Sequence, residues 1–501
     1  MKASSILDTI GRTPHVRMNR LFGAAPEVWI KAERANPGGS IKDRIALTMI
    51  EAAERSGQLQ PGGTIIEATA GNTGLGLALV AAQKGYHMLL VVPDKMSREK
   101  IFHLKALGAE VRLTRSDVGK GHPDYYQDLA RSIAAQMPGA FYIDQFNNPA
   151  NAWAHESGTG PEIWRQMEQR VDAVVVGVGS GGTLGGLTHF FQKVAPQVEM
   201  VLADPAGSVL ADYVETGQFG EAGSWLVEGI GEDFVPAIAD FALVKRAYRI
   251  DDAESLHTAR LLLKEEGVLA GSSSGTLLAA ALRYCREQTT PKRVLTFVCD
   301  SGNKYLSKMF NDYWMIDQGL IERPKQGNLR DLIARRYEEG TTVTCKPDET
   351  LAAVYGRMRF HDIDQVPVMD GDQVVGLIDE WDLLRAVKDA PEHFQLPVRE
   401  AMVSKLQTLD PDVPLERLLQ TAAVGDLRQG VRGHFVRQPT DLVLQFGHPR
   451  LKMRHMPFKI GTVERDQWLA CMAFALQDCE VKDPLHTRLM ESFFGTADWM
   501  R

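Results

Sequence analysis

From its start to about Trp314 the chain repeats one unit: a short β-branched run, a turn that is often glycine-rich, and an Ala/Leu-rich stretch with helical spacing. Strands separated by helices pair in parallel, with helices on both sheet faces, so the repeat predicts a doubly wound α/β domain. The candidate strands are 28–31, 64–67, 87–92, 110–114, 173–178, 199–203 and 294–298. Open α/β sheets hold ligands at the carboxyl ends of their strands, where several of these turns lie. Functional residues are therefore expected there.

At 501 residues the chain exceeds what one hydrophobic core organises. The α/β pattern covers 1–318, and a Gly/Pro/charged linker follows at 319–334. The segment 335–420 opens with the order strand, helix, strand, Asp-Gly turn, strand, helix. A second copy starts near 398 but lacks its two strands and closing helix after Gln420. Residues 421–445 have no clear period, and 446–501 read as amphipathic helices.

The formal charge of −8 is spread out, and no Lys/Arg stripe is interleaved with aromatics, which excludes nucleic acid as a partner. No apolar run approaches the ~20 residues that span a bilayer, and the opening MKASSILDTIGRTP has no apolar signal core. The five cysteines carry no CxxC and no zinc-like spacing, so they read as reduced thiols. A cytoplasmic protein without membrane contact is expected.

In Asn36-Pro-Gly-Gly-Ser-Ile-Lys42 a turn-forming cluster delivers a lysine into the first turn of a helix. The positive helix end and shielding from water both favour a neutral amine, the form that attacks a carbonyl cofactor; a solvated helix-start lysine is the structural alternative. The run Glu67-Ala-Thr-Ala-Gly-Asn-Thr-Gly74 leaves a strand and opens a helix, placing amides and the Asn72, Thr69 and Thr73 side chains around an anion. Gly177-Val-Gly-Ser-Gly-Gly-Thr183 does the same for a phosphate, and it matches neither GxGxxG nor GxxxxGK[ST]. Asp300-Ser301 ends a strand. The Ser301 hydroxyl there either faces a heteroaromatic nitrogen, which it cannot protonate as a carboxylate would, or caps a helix.

In this order, NPGGSIKDR, TAGNTG, GSGGT and DS resemble the cofactor motifs of the β-family of pyridoxal-phosphate enzymes, over about residues 4–316. The resemblance implies a fold-type II domain with Lys42 carrying the cofactor and Asn72 on its ring oxygen. It also implies Gly179, Ser180, Gly181, Gly182 and Thr183 as the phosphate cup, and Ser301 on the pyridine nitrogen. Thr69, Thr73, Gln145 and Gly229 match positions around the substrate. PDKMSREK, DPAGS, VEGIGEDF and CDSGNKYLSKMFNDYWM look like the cystathionine β-synthase branch; GTGPEIW, and DQFNNPAN with Phe146, lean toward cysteine synthases. Ala70 stands where the family has a serine near the substrate carboxylate.

What the resemblance implies is β-replacement on an amino acid by a thiol. Lys42 leaves the cofactor, removes the α-proton of serine, the β-substituent departs, and homocysteine adds to give cystathionine. O-acetylserine and sulfide are the cysteine-synthase alternative. A homodimer is implied, with no haem in the catalytic domain.

The stretch 335–390 resembles one CBS motif, a repeat that works in pairs and often holds adenosyl ligands. With its second member cut short, Val366, Val368, Val374 and Leu377 are expected as the repeat's own core. Residues 446–501 resemble the C-terminal half of truncated haemoglobins, whose proximal haem ligand would be His455; half a pocket encloses a haem poorly, and a surface histidine is the expectation. An inactive adenosyl-ligand sensor and a haem-binding fusion are the readings from other classes.

Overall fold

The computed structural model of this protein describes residues 2–23, 26–69, 71–94, 96, 98–115, 118, 121–322, 328, 342–361, 363–388, 390–406 and 412. Ala70, most of the 319–334 linker, the 421–445 junction and the 446–501 tail with His455 lie outside them. The chain divides into two units, Met1–Leu320 and Ile321–Arg501.

The first unit holds two sheets. The larger is built from β1 (His15–Arg17), β2 (Glu27–Ala32), β7 (Ala173–Val176), β8 (Glu199–Pro205), β9 (Val244–Ile250) and β10 (Arg293–Val298), in the order β1-β2-β10-β7-β8-β9. The smaller runs β5-β4-β3-β6, from β3 (Thr64–Ala68), β4 (His87–Pro93), β5 (Glu110–Thr114) and β6 (Ala140–Tyr142). All pairings are parallel except β1 with β2. In β7 all four residues are fully buried, as a strand covered on both faces requires. The smaller sheet divides its apolar residues by the strand period of two: Ile65, Leu90 and Val92 enter one core, Ile66, Leu89 and Val91 the other.

All seven expected strands are present. The one expected at 173–178 stops at Val176, since Gly177 already belongs to the turn. Three strands escape the sequence pattern. β1 and β6 have three residues each, and β9, VKRAYRI, is an edge strand in which charged residues interrupt the apolar run.

A buried ion network staples the start of the chain to this frame. Arg44 donates Nε to Glu33 Oε2 at 2.7 Å, Nη2 to Glu162 Oε2 at 2.7 Å and Nη1 to Glu162 Oε1 at 2.9 Å. Lys31 pairs with Glu162 at 2.9 Å, and the Thr13 hydroxyl donates to Glu33 at 2.6 Å. Lys31 and Glu33 are fully buried. Arg44 lies two residues past Lys42, so this network fixes the helix Lys42–Arg55 where it meets β2.

The second unit contains a hairpin, β11 (Gln365–Asp370) and β12 (Gln373–Asp379), with the helices Leu351–His361 and Glu380–Val387. The turn between the strands uses Gly371 at φ +59°, where a glycine meets no Cβ clash. Val366, Val368 and Leu377 are buried as expected. Val374 is not: it is 50% exposed, because it stands beside the turn at the open start of β12. The expected opening strand is reduced to a single parallel bridge, Cys345 with Val368. Pro347, two residues on, offers no N–H with which to extend it. No described helix is long and apolar enough to cross a membrane.

Candidate active site

The carboxyl ends of β3 and β7 open onto a cavity of ≈ 470 Å³. Lys42, Thr69, Asn72, Thr73, Gln145, Gly229 and Gly179 to Thr183 all line it, so motifs up to 187 positions apart in sequence converge on one space.

Lys42 is the first residue of its helix, as the turn chemistry predicts. The preceding Ile41 N–H donates to Cys299 O at 2.8 Å, and Ser40 bridges to Asp300, which ties the lysine to the end of β10. Burial pushes its ammonium pKa down, and the opposing influence of Cys299, Asp300 and Glu232 does not cancel that. The neutral amine is thereby made accessible.

Asn72 opens the helix Asn72–Lys84. Lys304 Nζ donates to its Oδ1 at 2.5 Å, and its Nδ2 donates to Asp300 Oδ2 at 2.8 Å. With the oxygen engaged by an ammonium and one amide hydrogen by a carboxylate, the second amide hydrogen is left to donate. Asp300 also accepts from the Tyr305 hydroxyl at 2.9 Å, while its buried Oδ1 has no hydrogen-bond partner among the described residues.

Gly179 to Thr183 form a cradle that side chains would fill. A Cβ on Gly179 would stand 2.7 Å from Gly229 O, and one on Gly182 1.9 Å from Asn151 Oδ1. Gly181 has φ +88°, turning successive amides inward at the N-terminus of the helix Gly182–Val194. Amides, two hydroxyls and a helix dipole meet there, a donor set suited to a phosphate. Together with the buried lysine and the amide donor of Asn72, these residues fit pyridoxal phosphate.

On the opposite wall, Thr73 Oγ1 donates to Gln145 Oε1 at 2.8 Å, leaving the Gln145 Nε2 side to donate. Glu67 beneath it receives the Ala68 and Gln145 amides at 2.9 and 3.2 Å, and burial pushes its pKa up to about 7. Thr69 Oγ1 accepts the Gly71 amide at 3.1 Å. Ser301 takes the capping role: it precedes the short helix Gly302–Tyr305, its Oγ accepts from Asn303 N at 3.3 Å, and it does not line this cavity.

Glu232 and Cys299 are among the chemically able groups in the wall that sequence reasoning missed. Glu232 lines the cavity, and burial, with the neighbouring Asp233, pushes its pKa up to about 8. Cys299 also lines it; burial and Asp300 push its thiol up to about 12, which keeps it neutral. Glu232 stood inside the VEGIGEDF segment, and its missing signal was burial, which one strand-free loop does not reveal.

The family model "Pyridoxal-phosphate dependent enzyme" matches residues 6–300. The CBS domain model matches 333–389, and the bacterial-like globin model matches 408–501, beginning within the expected 335–420 segment. Cystathionine β-synthase of Apis mellifera is 40% identical over 320 residues, 63% of each chain, so this chain spans under two thirds of that relative. Cystathionine β-synthase of Oryctolagus cuniculus is 37% identical over 393 residues, 76% of this chain and 71% of the other. Cysteine synthase of Staphylococcus aureus (strain Mu50 / ATCC 700699) is 41% identical over 306 residues, 60% of this chain and 95% of the other.

Proposed function

Because this chain belongs to the pyridoxal-phosphate dependent enzymes, with cystathionine β-synthases among its relatives, we propose that it condenses L-serine with L-homocysteine to cystathionine by β-replacement. The observation that carries the reading is the convergence of Lys42, Asn72, the 179–183 cup and the Thr69, Thr73 and Gln145 wall on one cavity. Bound there, pyridoxal phosphate supplies the electron sink that lets the α-proton of an amino acid leave. The cup and Asn72 hold it at its two polar ends. Thr69, Thr73 and Gln145 orient the substrate carboxylate, and Lys42 Nζ removes the α-proton from the other wall. The ring-nitrogen role stays a proposal for Ser301, whose hydroxyl accepts the Asn303 amide from outside the cavity lining and keeps its own hydrogen to donate.

Serine differs from O-acetylserine in its leaving group: hydroxide departs only with a proton, acetate without one. Glu232, largely protonated at neutral pH with its pKa near 8, donates that proton and, as the carboxylate, accepts the one from the incoming thiol. Glu232→Gln is expected to lower kcat/KM for serine by about 10²-fold and to leave kcat/KM for O-acetylserine nearly unchanged. The acid form acts on serine, so wild-type kcat/KM for serine falls as pH rises through about 8, and the variant lacks that limb. Equal losses on both substrates would sink this role.

The second reading, a cysteine synthase using O-acetylserine and sulfide, is favoured by the GTGPEIW segment at 158–164 and by the identity to the staphylococcal enzyme. Stopped-flow absorbance separates the two. If serine produces a new band that homocysteine discharges with release of cystathionine, the first reading holds. If only O-acetylserine reacts and only sulfide discharges the band, the second replaces it.

The remaining parts of the reading are a homodimer in the cytoplasm and an adenosyl ligand at the CBS-domain segment. Sedimentation velocity tests the first, and calorimetric titration with an adenosine nucleotide tests the second. Haem at His455 is left out of the reading, and a red preparation with a haem absorbance band would bring it in.

A further inference from the structure

The turn Gly179 to Thr183 carries two hydroxyls, and each is met from behind by a buried polar side chain. Asn151 is 1% exposed; its Nδ2 donates to Ser180 Oγ at 3.0 Å and to Gln145 O at 2.8 Å. His155 is fully buried, with Nε2 at 3.2 Å from Thr183 Oγ1 and Nδ1 at 2.9 Å from Thr159 Oγ1. Both residues belong to one stretch, the helix Pro149–Ala154 and the single π turn His155–Thr159 that continues it. A π turn inserts one residue into a helix and re-aims its side chains, and such turns gather at functional sites. Gly186 allows the approach: a Cβ there would stand 2.2 Å from Ala152 O and 2.7 Å from His155 Cβ.

Burial holds the His155 ring well below its ordinary pKa, and the Lys42 and Arg44 charges act in the same direction, so the ring is neutral. A neutral imidazole has one donor and one acceptor nitrogen. Were Nε2 the acceptor, the Thr183 hydrogen would turn toward the ring and its oxygen lone pairs would face the cup, repelling an anion. With Nε2 as the donor, Thr183 accepts from the ring and its own hydrogen is free to point into the cup; Nδ1 then accepts from the Thr159 hydroxyl. Ser180 is set in the same sense, because its oxygen already receives the Asn151 N–H.

We propose that His155 is a positioning residue for the anion cup: its Nε2–H holds Thr183 Oγ1 as an acceptor, so that the Thr183 hydroxyl donates to the phosphate of the bound cofactor, as Asn151 arranges for Ser180. The proposal rests on the reading of this cavity as a pyridoxal-phosphate site. It makes the loss on changing His155 specific to a ligand with a phosphate.

The test titrates cofactor-stripped full-length protein with pyridoxal 5′-phosphate and, separately, with pyridoxal, following absorbance. His155→Leu is expected to weaken the phosphate ester by about tenfold, as for one lost hydrogen bond to a charged group, and to leave pyridoxal unchanged. His155→Gln, whose amide also has a donor and an acceptor, restores binding to nearly the wild-type level. Thr183→Val reproduces the loss, and the double variant adds nothing to it. Equal weakening of both ligands, no weakening, a failing His155→Gln, or additive losses each overturn the proposal. If His155→Leu does not fold, Thr159→Val, which frees Nδ1, is the substitute, with a smaller loss confined to the phosphate ester expected. Wild-type protein that binds no pyridoxal 5′-phosphate would reject the cofactor reading itself rather than the role of His155.

Discussion

Replacing Lys42 with alanine is expected to lower kcat for cystathionine formation by about 10⁴-fold, measured as product released from serine and homocysteine with the cofactor in excess. Lys42 reaches the cavity from a turn whose backbone is tied to the end of β10, and burial disfavours its charge. Lys42→Arg separates the two aspects of the residue. It keeps length and charge, but a guanidinium stays protonated and neither bonds a carbonyl as an amine does nor accepts the α-proton. The arginine variant should be as inactive as the alanine one. Activity within tenfold of wild type in either would remove Lys42 from the mechanism.

The second large effect lies in the frame that holds this lysine. Arg44→Ala leaves Glu33 and Glu162 facing one cation, Lys31, in a place with almost no water. Breaking a buried pair in this way costs about 3–5 kcal/mol, a fall in Tm on the order of 10 °C for a domain of this size. Arg44→Met combined with Glu33→Gln, which removes a carboxylate charge together with the cation, should recover much of the loss. If Arg44→Ala melts within a degree or two of wild type, the network holds nothing in place. The same network predicts an acid limb. Burial alone would raise the Glu162 pKa, but hydrogen bonds and charge from Arg44, together with Lys31 and the Arg12 amide, outweigh it and hold the carboxyl at about 2 against an ordinary 4.5. A depressed carboxyl contributes stability that is fully present above 4.5 and lost as pH falls through about 2. In the Arg44→Ala variant that part of the acid transition should move to higher pH.

The sequence revealed most where local chemistry and tertiary role coincide. The strand-turn-helix at Asn72 and the glycine-dense turn at 179–183 were legible because both are short-range patterns: apolar run, tight turn, helix start. Gly181 at φ +88° and Gly182 against Asn151 explain why that turn tolerates little but glycine. Ser301 was legible only as a pair of alternatives, and its hydroxyl takes the cap. What stayed hidden depends on contacts across long separations. Nothing near Lys304 announces that it orients Asn72, 232 positions away, and nothing near His155 announces Thr183. Val374 failed for a different reason: it fits the apolar rhythm of its strand but sits at the strand's open end, where periodicity says nothing about cover.

The cavity also joins two pieces of secondary structure that are not joined to each other by backbone pairing. Its phosphate cup hangs from β7 in the six-stranded sheet, its substrate wall from β3 and the residues after β6 in the four-stranded one, and Lys42 enters between them. On the function proposed above, a bound amino acid is a load shared by two leaves, with its carboxylate on one and its cofactor end on the other. The spacing between the leaves then sets how the two ends of that load meet. A substitution far from the cavity that changes that gap is expected to alter the rate while leaving every residue of the lining intact.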